Sequence, residues 1–136
     1  MAGYSQTTLL KKLGIKPHVS IYVQGAPKAY FTDLGELPKG VSRKSKLAGK
    51  LAFIHLFVTD NKTFQDLFIT ARKCLPDDGM LWISWPKKAS KVVTDLNENI
   101  IRDHGLEVGL VDVKVCAVDE TWSGLKFVVR VKDRKL

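Results

Sequence analysis

The sequence lacks the features that mark several common classes of protein. It has only two cysteines, Cys74 and Cys116, and they lie far apart in apolar segments. That usage argues against a disulfide scaffold and is typical of buried thiols in a reducing compartment. The three histidines, His18, His55 and His104, have no metal-ligand spacing with each other or with the cysteines. We therefore predict a cytoplasmic protein without a metal centre.

Long apolar runs are also missing. No stretch of about 18 apolar residues occurs, so no membrane span is expected. The N-terminal segment MAGYSQTTLLKKLG lacks the apolar core of an export signal. The hydrophobic content of 45% nevertheless agrees with a globular fold. With 136 residues, we expect one domain, 1–136, which buries about two-thirds of its unfolded surface.

Acidic residues are scarce relative to basic ones. There are 22 lysines and arginines against 14 aspartates and glutamates, which gives a net charge of +8. This balance favours an anionic partner: a nucleic acid, a phosphorylated ligand or an acidic protein. The densest basic stretch, residues 39–50, contains no acidic residue. We predict that a nucleic acid could bind there through Lys39, Arg43, Lys44, Lys46 and Lys50. It contains no aromatic stacking platform, so a merely solvated surface is the alternative.

Alternating apolar segments and helical stripes predict an α/β fold. The predicted strands are 18–24, 41–47, 51–59, 80–85, 108–118 and 125–131. The predicted helices are one capped by Ser5 and followed by Gly14, one opened by Pro27 and ended by Gly35, one capped by Asp60, and one capped by Thr94 and followed by Gly105. The last two strands have no helix between them, so they form an antiparallel hairpin beside a mostly parallel sheet.

Polar residues follow four of these strands. Ligands of open α/β sheets bind beyond the carboxyl ends of the strands. The residues that we predict to form a ligand-binding rim there are Gln24, Gly25, Asp60, Lys87, Lys88, Ser90, Asp119, Glu120, Trp122 and Ser123. With strands about 4.8 Å apart, the two lysines lie roughly 10 Å from Glu120. The lysines suit a small anion or a phosphorylated ligand.

Each part of this rim also has an ordinary structural interpretation. Trp122 and Gly124 are residues that fix a turn, and Gln24-Gly25 suits a tight connection from strand to helix. The acids of the hairpin tip can form surface ion pairs with the lysines, worth under about 1 kcal/mol. His55, in mid-strand, is typical of a hydrogen-bonded core histidine. The convergence of four loops on one rim is what favours a site.

The order of the elements, with LAFIHLFVT, GMLWISWP and the terminal hairpin, resembles the class I S-adenosylmethionine-dependent methyltransferases over about residues 15–132. The resemblance implies a three-layer Rossmann-like fold, mostly parallel, that ends in an antiparallel hairpin. The stretches LGIKP, WPKKAS and KVCAVDETWSGLKF also resemble a small bacterial family catalogued as a domain of unknown function. That second resemblance spans the whole chain and implies no established activity.

The chain departs from the methyltransferase pattern where the cofactor would bind. The family has a glycine-rich first loop, whereas this chain has VQGAP. The family has an acid after its second strand, whereas Arg43, Lys44 and Lys46 stand here. Only Ala48-Gly49-Lys50 precede the next strand, too few for a parallel crossover of about a dozen residues. The nucleotide-binding half is therefore shortened, and segment 41–47 is very short, returns in extended form or pairs antiparallel.

These departures predict a non-catalytic or vestigial domain that uses no cofactor and binds a small anion or a partner. One alternative is a methyltransferase with an atypical S-adenosylmethionine site. In it, Gly25, Asp60, Lys87 and Glu120 line the pocket, and Glu120 or Asp119 is the base. The other alternative is a nucleic-acid-binding protein.

Overall fold

A six-stranded sheet lies between two layers of helix. The computed structural model describes residues 8–135. The strands are β1 (Ser20–Gln24), β2 (Ser42–Arg43), β3 (Phe53–Phe57), β4 (Met80–Pro86), β5 (Leu110–Ala117) and β6 (Trp122–Val129). The α-helices are α1 (Leu9–Leu13), α2 (Tyr30–Leu34), α3 (Asn61–Cys74) and α4 (Glu98–Glu107). Short 3₁₀ turns, Lys88–Ser90 and Val131–Asp133, follow β4 and β6.

The strands are ordered β2-β1-β3-β4-β6-β5 across the sheet. Strands β1 to β4 are mutually parallel, whereas β6 is antiparallel to both of its neighbours, β4 and β5. The direction of β5 is therefore that of β1 to β4, and its carboxyl end lies on the same edge of the sheet. This arrangement confirms the predicted mostly parallel α/β sheet with an antiparallel terminal hairpin.

One side of the sheet, the α3–α4 face, is covered by the two longer helices. Asp60 caps α3 as predicted, because its carboxylate accepts the N–H of Thr63 at 2.9 Å. The buried stripe of α3 includes Phe64, Phe68 and Ala71. Phe68 meets Phe127 of β6 edge to face, with ring centroids 5.3 Å apart. Every second residue of the central strands is apolar and points into this layer, which is the larger part of the core.

The other side, the α1–α2 face, is covered by the two short helices. Thr8 caps α1, and its hydroxyl accepts the N–H of Lys11 at 3.2 Å; the predicted cap, Ser5, lies outside the described residues. Gly14 ends α1 with φ of 79°, as predicted. The predicted helix at Pro27 begins only at Tyr30, because residues 27–30 form a turn in which the Tyr30 N–H donates to the Pro27 carbonyl.

Helix α4 corrects two predictions. Thr94 is not its cap, since Asn97 accepts the Ile100 N–H at 2.9 Å. The Thr94 hydroxyl instead donates to the Thr59 carbonyl. Gly105 does not follow the helix but lies inside it, where an added Cβ would be 2.7 Å from Cζ of Phe127. The glycine thus serves close packing of the helix on β6 rather than termination.

The basic segment 41–47 forms a strand of only two residues, and β2 pairs in parallel with β1 through Ser20–Ser42 and Ile21–Arg43. Residues 44–52 then return to β3 without a helix. Of the alternatives that the sequence left open, the very short strand is therefore confirmed. The other strands lie within the predicted ones, except that β4 extends to Pro86 and β6 begins earlier, at Trp122.

Candidate functional site

The loops predicted to form a rim do lie along one edge, which we call the carboxyl edge. The backbone N–H of Lys87 donates to the carbonyl of Thr121 at 2.7 Å, and Pro86 pairs with Trp122. The hairpin tip therefore lies directly beside the loop that follows β4. Their common location is confirmed, whereas a binding role for these residues stays a prediction.

The hairpin tip is held by its own acid. One carboxylate oxygen of Asp119 accepts the backbone N–H groups of Thr121 and Trp122 at 2.8 and 2.7 Å. The N–H groups of Val118 and Asp119 both donate to the Trp122 carbonyl. This network is a side-chain-stabilised turn, a role for Asp119 that the sequence analysis did not predict. The neighbouring Glu120 is exposed.

The expected ion pairs between the hairpin acids and the rim lysines do not form. Within residues 8–135, ion pairs of 4.0 Å or less join Lys62 to Asp66, and Arg102 to Glu98 and Asp112. None of them involves Lys87 or Lys88. The acids and lysines share an edge but are not locked together.

Trp122 lies on the rim and also packs against the core. Its ring meets Phe57 edge to face, with centroids 5.2 Å apart, on the α1–α2 face. Ser123, the next residue, points to the opposite face and is paired in the sheet with Trp85 and Ala117. Consecutive rim residues of β6 therefore lie on different sides of the sheet, and a single ligand on one face contacts one of the two.

The connection after β1 closes onto β3. Tyr22 donates its hydroxyl hydrogen to the side-chain oxygen of Gln24 at 2.6 Å. Gly25 has φ of 76°, and an added Cβ there would lie 2.8 Å from the carbonyl oxygen of Phe57. Both the backbone conformation and this close approach require glycine. The glycine is therefore explained by the packing of the chain itself.

Two further rim side chains complete local turns. Hydrogen bonds from the backbone and side chain of Thr63 lower the pKa of Asp60, which keeps this cap ionised. The Ser90 hydroxyl donates to the Lys87 carbonyl at 2.6 Å and accepts the Val92 N–H at 3.3 Å. Their polar atoms are committed to the fold.

Lys88 lines a cleft on the rim, with a volume of about 410 Å³. The other lining residues are Trp85, Pro86, Val92, Thr94, Leu96 and Asn97. The lining of the cleft is partly polar and partly apolar, and Lys88 is the cationic side chain among these residues. It is separate from the connection after β1, whose residues do not line it, so the structure does not unite all predicted rim residues around one cavity.

A buried polar chain crosses the α1–α2 face. The Tyr30 hydroxyl and Nδ1 of His55 are 2.8 Å apart, and Nε2 of His55 is 2.7 Å from the Ser84 hydroxyl. All three residues are at most 1% exposed. Burial lowers the pKa of His55 to about 3 and raises that of Tyr30. His55 is thus confirmed as a satisfied core histidine, and solvent does not reach this chain.

A cluster of basic residues lies away from the carboxyl edge, around the edge strand β2. Here a cleft of about 460 Å³ is lined by Ser20, Lys44, Ser45, Lys46, Ala48, Gly49, Lys50 and Leu51. The guanidinium carbon of Arg43 lies 3.5 Å from the centre of the Phe31 ring. The sequence analysis missed this stack, because Phe31 belongs to α2 and lies outside the basic stretch.

The two cysteines occupy different environments. Cys74 is buried, as predicted, whereas Cys116 of β5 is half-buried, which corrects its predicted burial. Desolvation raises the pKa of each thiol. In residues 8–135, no group of three or more histidine, cysteine, aspartate or glutamate side chains is placed to hold a metal ion. None of the helices in that range is long and apolar enough to cross a membrane.

Solved structures with similar folds include two methyltransferases. One is a ribosomal protein L11 methylase from Lactobacillus delbrueckii subsp. bulgaricus, at 15% identity and a TM-score of 0.55, over 90% of this chain and 75% of that one. Another is magnesium protoporphyrin IX methyltransferase from Synechocystis PCC 6803 with bound SAM, at 9% identity and a TM-score of 0.57, over 90% and 74%. No model of a protein family and no curated protein matches this chain. At these identities the comparisons show the fold, which is methyltransferase-like and Rossmann-like, as the sequence predicted.

Proposed function

We propose that this protein is a non-catalytic or vestigial domain on a methyltransferase-like scaffold, which binds an anionic ligand or partner and transfers no methyl group. The observation that carries the proposal is the lack of space for a side chain between Gly25 and Phe57. In the methyltransferase resemblance, glycine after the first strand gives the cofactor access to the backbone. Here, a Cβ at that position would lie 2.8 Å from the carbonyl oxygen of Phe57, so the packing of the protein itself requires the glycine.

The acids of the rim also support a non-catalytic role. A general base needs a carboxylate that is free to accept a proton from a bound substrate. The Asp119 oxygen that accepts two backbone N–H groups is committed to the turn, and Asp60 caps α3. Glu120 is exposed to solvent at the tip of the hairpin. Lys87 and Lys88 remain suited to attract an anion.

Calorimetry with S-adenosylmethionine tests the absence of a cofactor site. We expect no binding heat up to millimolar cofactor, and we expect tripolyphosphate to raise the melting temperature in a salt-sensitive manner. A micromolar binding isotherm with S-adenosylmethionine would overturn the proposal. A melting temperature that does not respond to tripolyphosphate would overturn the anion-binding part alone.

The alternative is a methyltransferase with an atypical cofactor site, favoured by the fold and by the S-adenosylmethionine in one similar structure. It predicts binding heat that Gly25→Val abolishes. Because that variant also clashes with Phe57, Glu120→Gln serves as a second variant that leaves the packing intact. Under this alternative, Glu120→Gln lowers turnover without lowering affinity, and an absence of heat in the parent protein ends it.

A further inference from the structure

We infer that the edge formed by β2 binds single-stranded nucleic acid, with the backbone phosphates in the lysine cleft and one base stacked on the Arg43 side chain. We call the set Phe31, Arg43, Lys44, Lys46 and Lys50 the β2-edge site. The inference rests on the proposed function, because it names the anionic partner that was left open there.

The geometry of β2 makes the site reachable from both faces of the sheet. Strand β2 is the outermost strand and pairs only with β1. Arg43 and Lys44 are consecutive, and the extended backbone sends consecutive side chains to opposite faces. Arg43 reaches the ring of Phe31 on the α1–α2 face. Lys44 lines the cleft with Leu51, whose side chain belongs to the α3–α4 core. A nucleic-acid strand that crosses this edge therefore meets both the Arg43 side chain and the lysine cleft.

The cleft supplies the phosphate contacts. Its volume is about 460 Å³, and three of its lining residues are Lys44, Lys46 and Lys50. Two hydroxyl side chains, Ser20 and Ser45, line it as well, and no acidic residue does. All three lysines are exposed, and within residues 8–135 none of them forms an ion pair. Uncompensated lysines beside hydroxyl donors are the groups that hold phosphate oxygens.

Arg43 supplies the base contact. Its guanidinium carbon lies over the Phe31 ring, 3.5 Å from the ring centre. Phe31 in turn packs edge to face against Tyr30, which is buried, so the platform rests on the core. Arg43 itself is exposed. Unpaired bases stack on arginine planes and aromatic rings, and such stacking tolerates any base.

The combination favours a single strand over other anions. A small phosphate needs the lysines but gains nothing from a stacking plane beside them. The bases of a duplex are stacked on each other and do not present a free face to Arg43. A single strand satisfies both parts at once, because its bases can turn away from the phosphates.

Fluorescence anisotropy with labelled dT₈ and rU₈ tests the phosphate part. Three phosphate contacts predict a slope of log affinity against log salt near −2, about −0.7 per contact. We expect Lys44→Gln/Lys46→Gln/Lys50→Gln to weaken binding at least tenfold at low salt and to flatten the slope. The matched control is Lys28→Gln/Lys73→Gln/Lys132→Gln, which removes the same charge from exposed lysines elsewhere. Equal losses in the two triple variants would overturn the site.

Arg43→Lys tests the base part, because it keeps the charge and removes the plane. We expect it to weaken dT₈ several-fold while leaving the salt slope unchanged, and to leave an abasic strand with the same phosphates unaffected. Phe31→Leu should act in the same direction. Equal affinity of Arg43→Lys and the parent protein for dT₈, or of the parent for dT₈ and the abasic strand, would overturn the inference.

The remaining outcomes separate this inference from the proposed function. A duplex that binds as tightly as the single strand overturns the stacking model. If tripolyphosphate raises the melting temperature but no strand binds at low salt, the inference fails and the proposed anion-binding function stands. A micromolar isotherm with S-adenosylmethionine affects the proposed function alone, because the cofactor experiment does not depend on β2.

Discussion

The two faces of one sheet are built by different chemistry. On the α3–α4 face, β3 contributes Ile54 and Leu56, which are fully buried among apolar neighbours. On the α1–α2 face, the intervening residue is His55, bonded to Tyr30 and Ser84. These three residues of β3 exclude solvent equally, so the two faces differ in how a wrong arrangement of the packed elements is penalised.

Apolar packing tolerates small shifts, whereas a buried hydrogen-bond chain does not. The Tyr30 and Ser84 hydroxyls and the two ring nitrogens of His55 have partners only when α2, β3 and β4 keep their relative positions. An unpartnered buried polar group costs about 1–3 kcal/mol. These hydrogen bonds therefore fix the position in which α2, a helix of five residues, packs on the sheet. The small apolar contact area of so short a helix would not fix that position alone.

Removing His55, the central member of the buried hydrogen-bond chain, has the largest expected effect on stability. His55→Leu leaves the Tyr30 and Ser84 hydroxyls buried without a partner, so we expect a loss of about 2–5 kcal/mol in the free energy of unfolding. Urea denaturation measures it. The triple variant Tyr30→Phe/His55→Leu/Ser84→Ala removes all the polar groups and should recover most of the loss. Equal stability of the single and triple variants would show that the histidine acts by packing alone.

Lowering the pH should destabilise the fold through His55, on the α1–α2 face. Burial lowers the pKa of His55 to about 3, whereas the unfolded chain binds this proton near the ordinary value of 6.5. Its contribution to stability is therefore complete above pH 6.5 and is lost as pH falls from 6.5 towards 3, at up to about 1.4 kcal/mol per pH unit. Unfolding curves between pH 7 and 4.5 should show this slope in the parent protein.

The triple variant is the control for the acid effect, because of the titratable groups it removes only His55 and Tyr30, and the raised pKa of Tyr30 keeps that group protonated in this pH range. Asp60 also has a lowered pKa, but its contribution is lost only below the ordinary carboxyl value of 3.8. Parallel pH profiles of the parent and the triple variant between pH 7 and 4.5 would contradict the assignment to His55.

An added methyl group tests the apolar face. Gly105→Ala places a Cβ 2.7 Å from Cζ of the buried Phe127 ring. Overpacking costs about 1–3 kcal/mol, while alanine favours a helix over glycine by about 1 kcal/mol. We expect a net loss of up to about 2 kcal/mol by urea denaturation. Phe127→Leu should reduce that loss in a double-mutant cycle, and strictly additive effects would show that the ring is not the obstacle.

A surface change gives the smallest effect and has the opposite sign. Lys114 and Lys126 lie directly opposite each other in the β5–β6 pair. Desolvation, together with the charges of Lys114 and Lys16, lowers the pKa of Lys126. Like charges opposite each other destabilise a sheet, so Lys126→Gln should raise stability by under about 1 kcal/mol. The gain should shrink in high salt, and a gain that is independent of salt would point to packing instead.

Most of the fold could be predicted from local sequence patterns. The apolar run around His55 marked a strand buried on both faces, and the spacing of Phe64, Phe68 and Ala71 marked the longest helix. Both signals lie within one element. The ends of α4 were wrong because the choice of Asn97 over Thr94, and the use of Gly105, depend on contacts with other elements.

The candidate sites were predictable to different extents. The common edge of Lys87 and Trp122 followed from strand direction, which the pattern of elements fixes. The commitment of Asp119 to backbone N–H groups required coordinates, since its spacing suits a turn and a site alike. The stack of Arg43 on Phe31 joins two separate elements, and no local pattern signals it.

The brevity of β2 has a consequence for how copies of this protein meet. An outer strand presents unpaired N–H and C=O groups, and a long flat one invites another chain to add to it and aggregate. With only two residues, Ser42 and Arg43, followed by Lys44, β2 offers too short a ladder for such growth, and the basic side chains repel an identical edge. The sheet can therefore end at β2 without a covering helix and without offering this edge as a template for another chain.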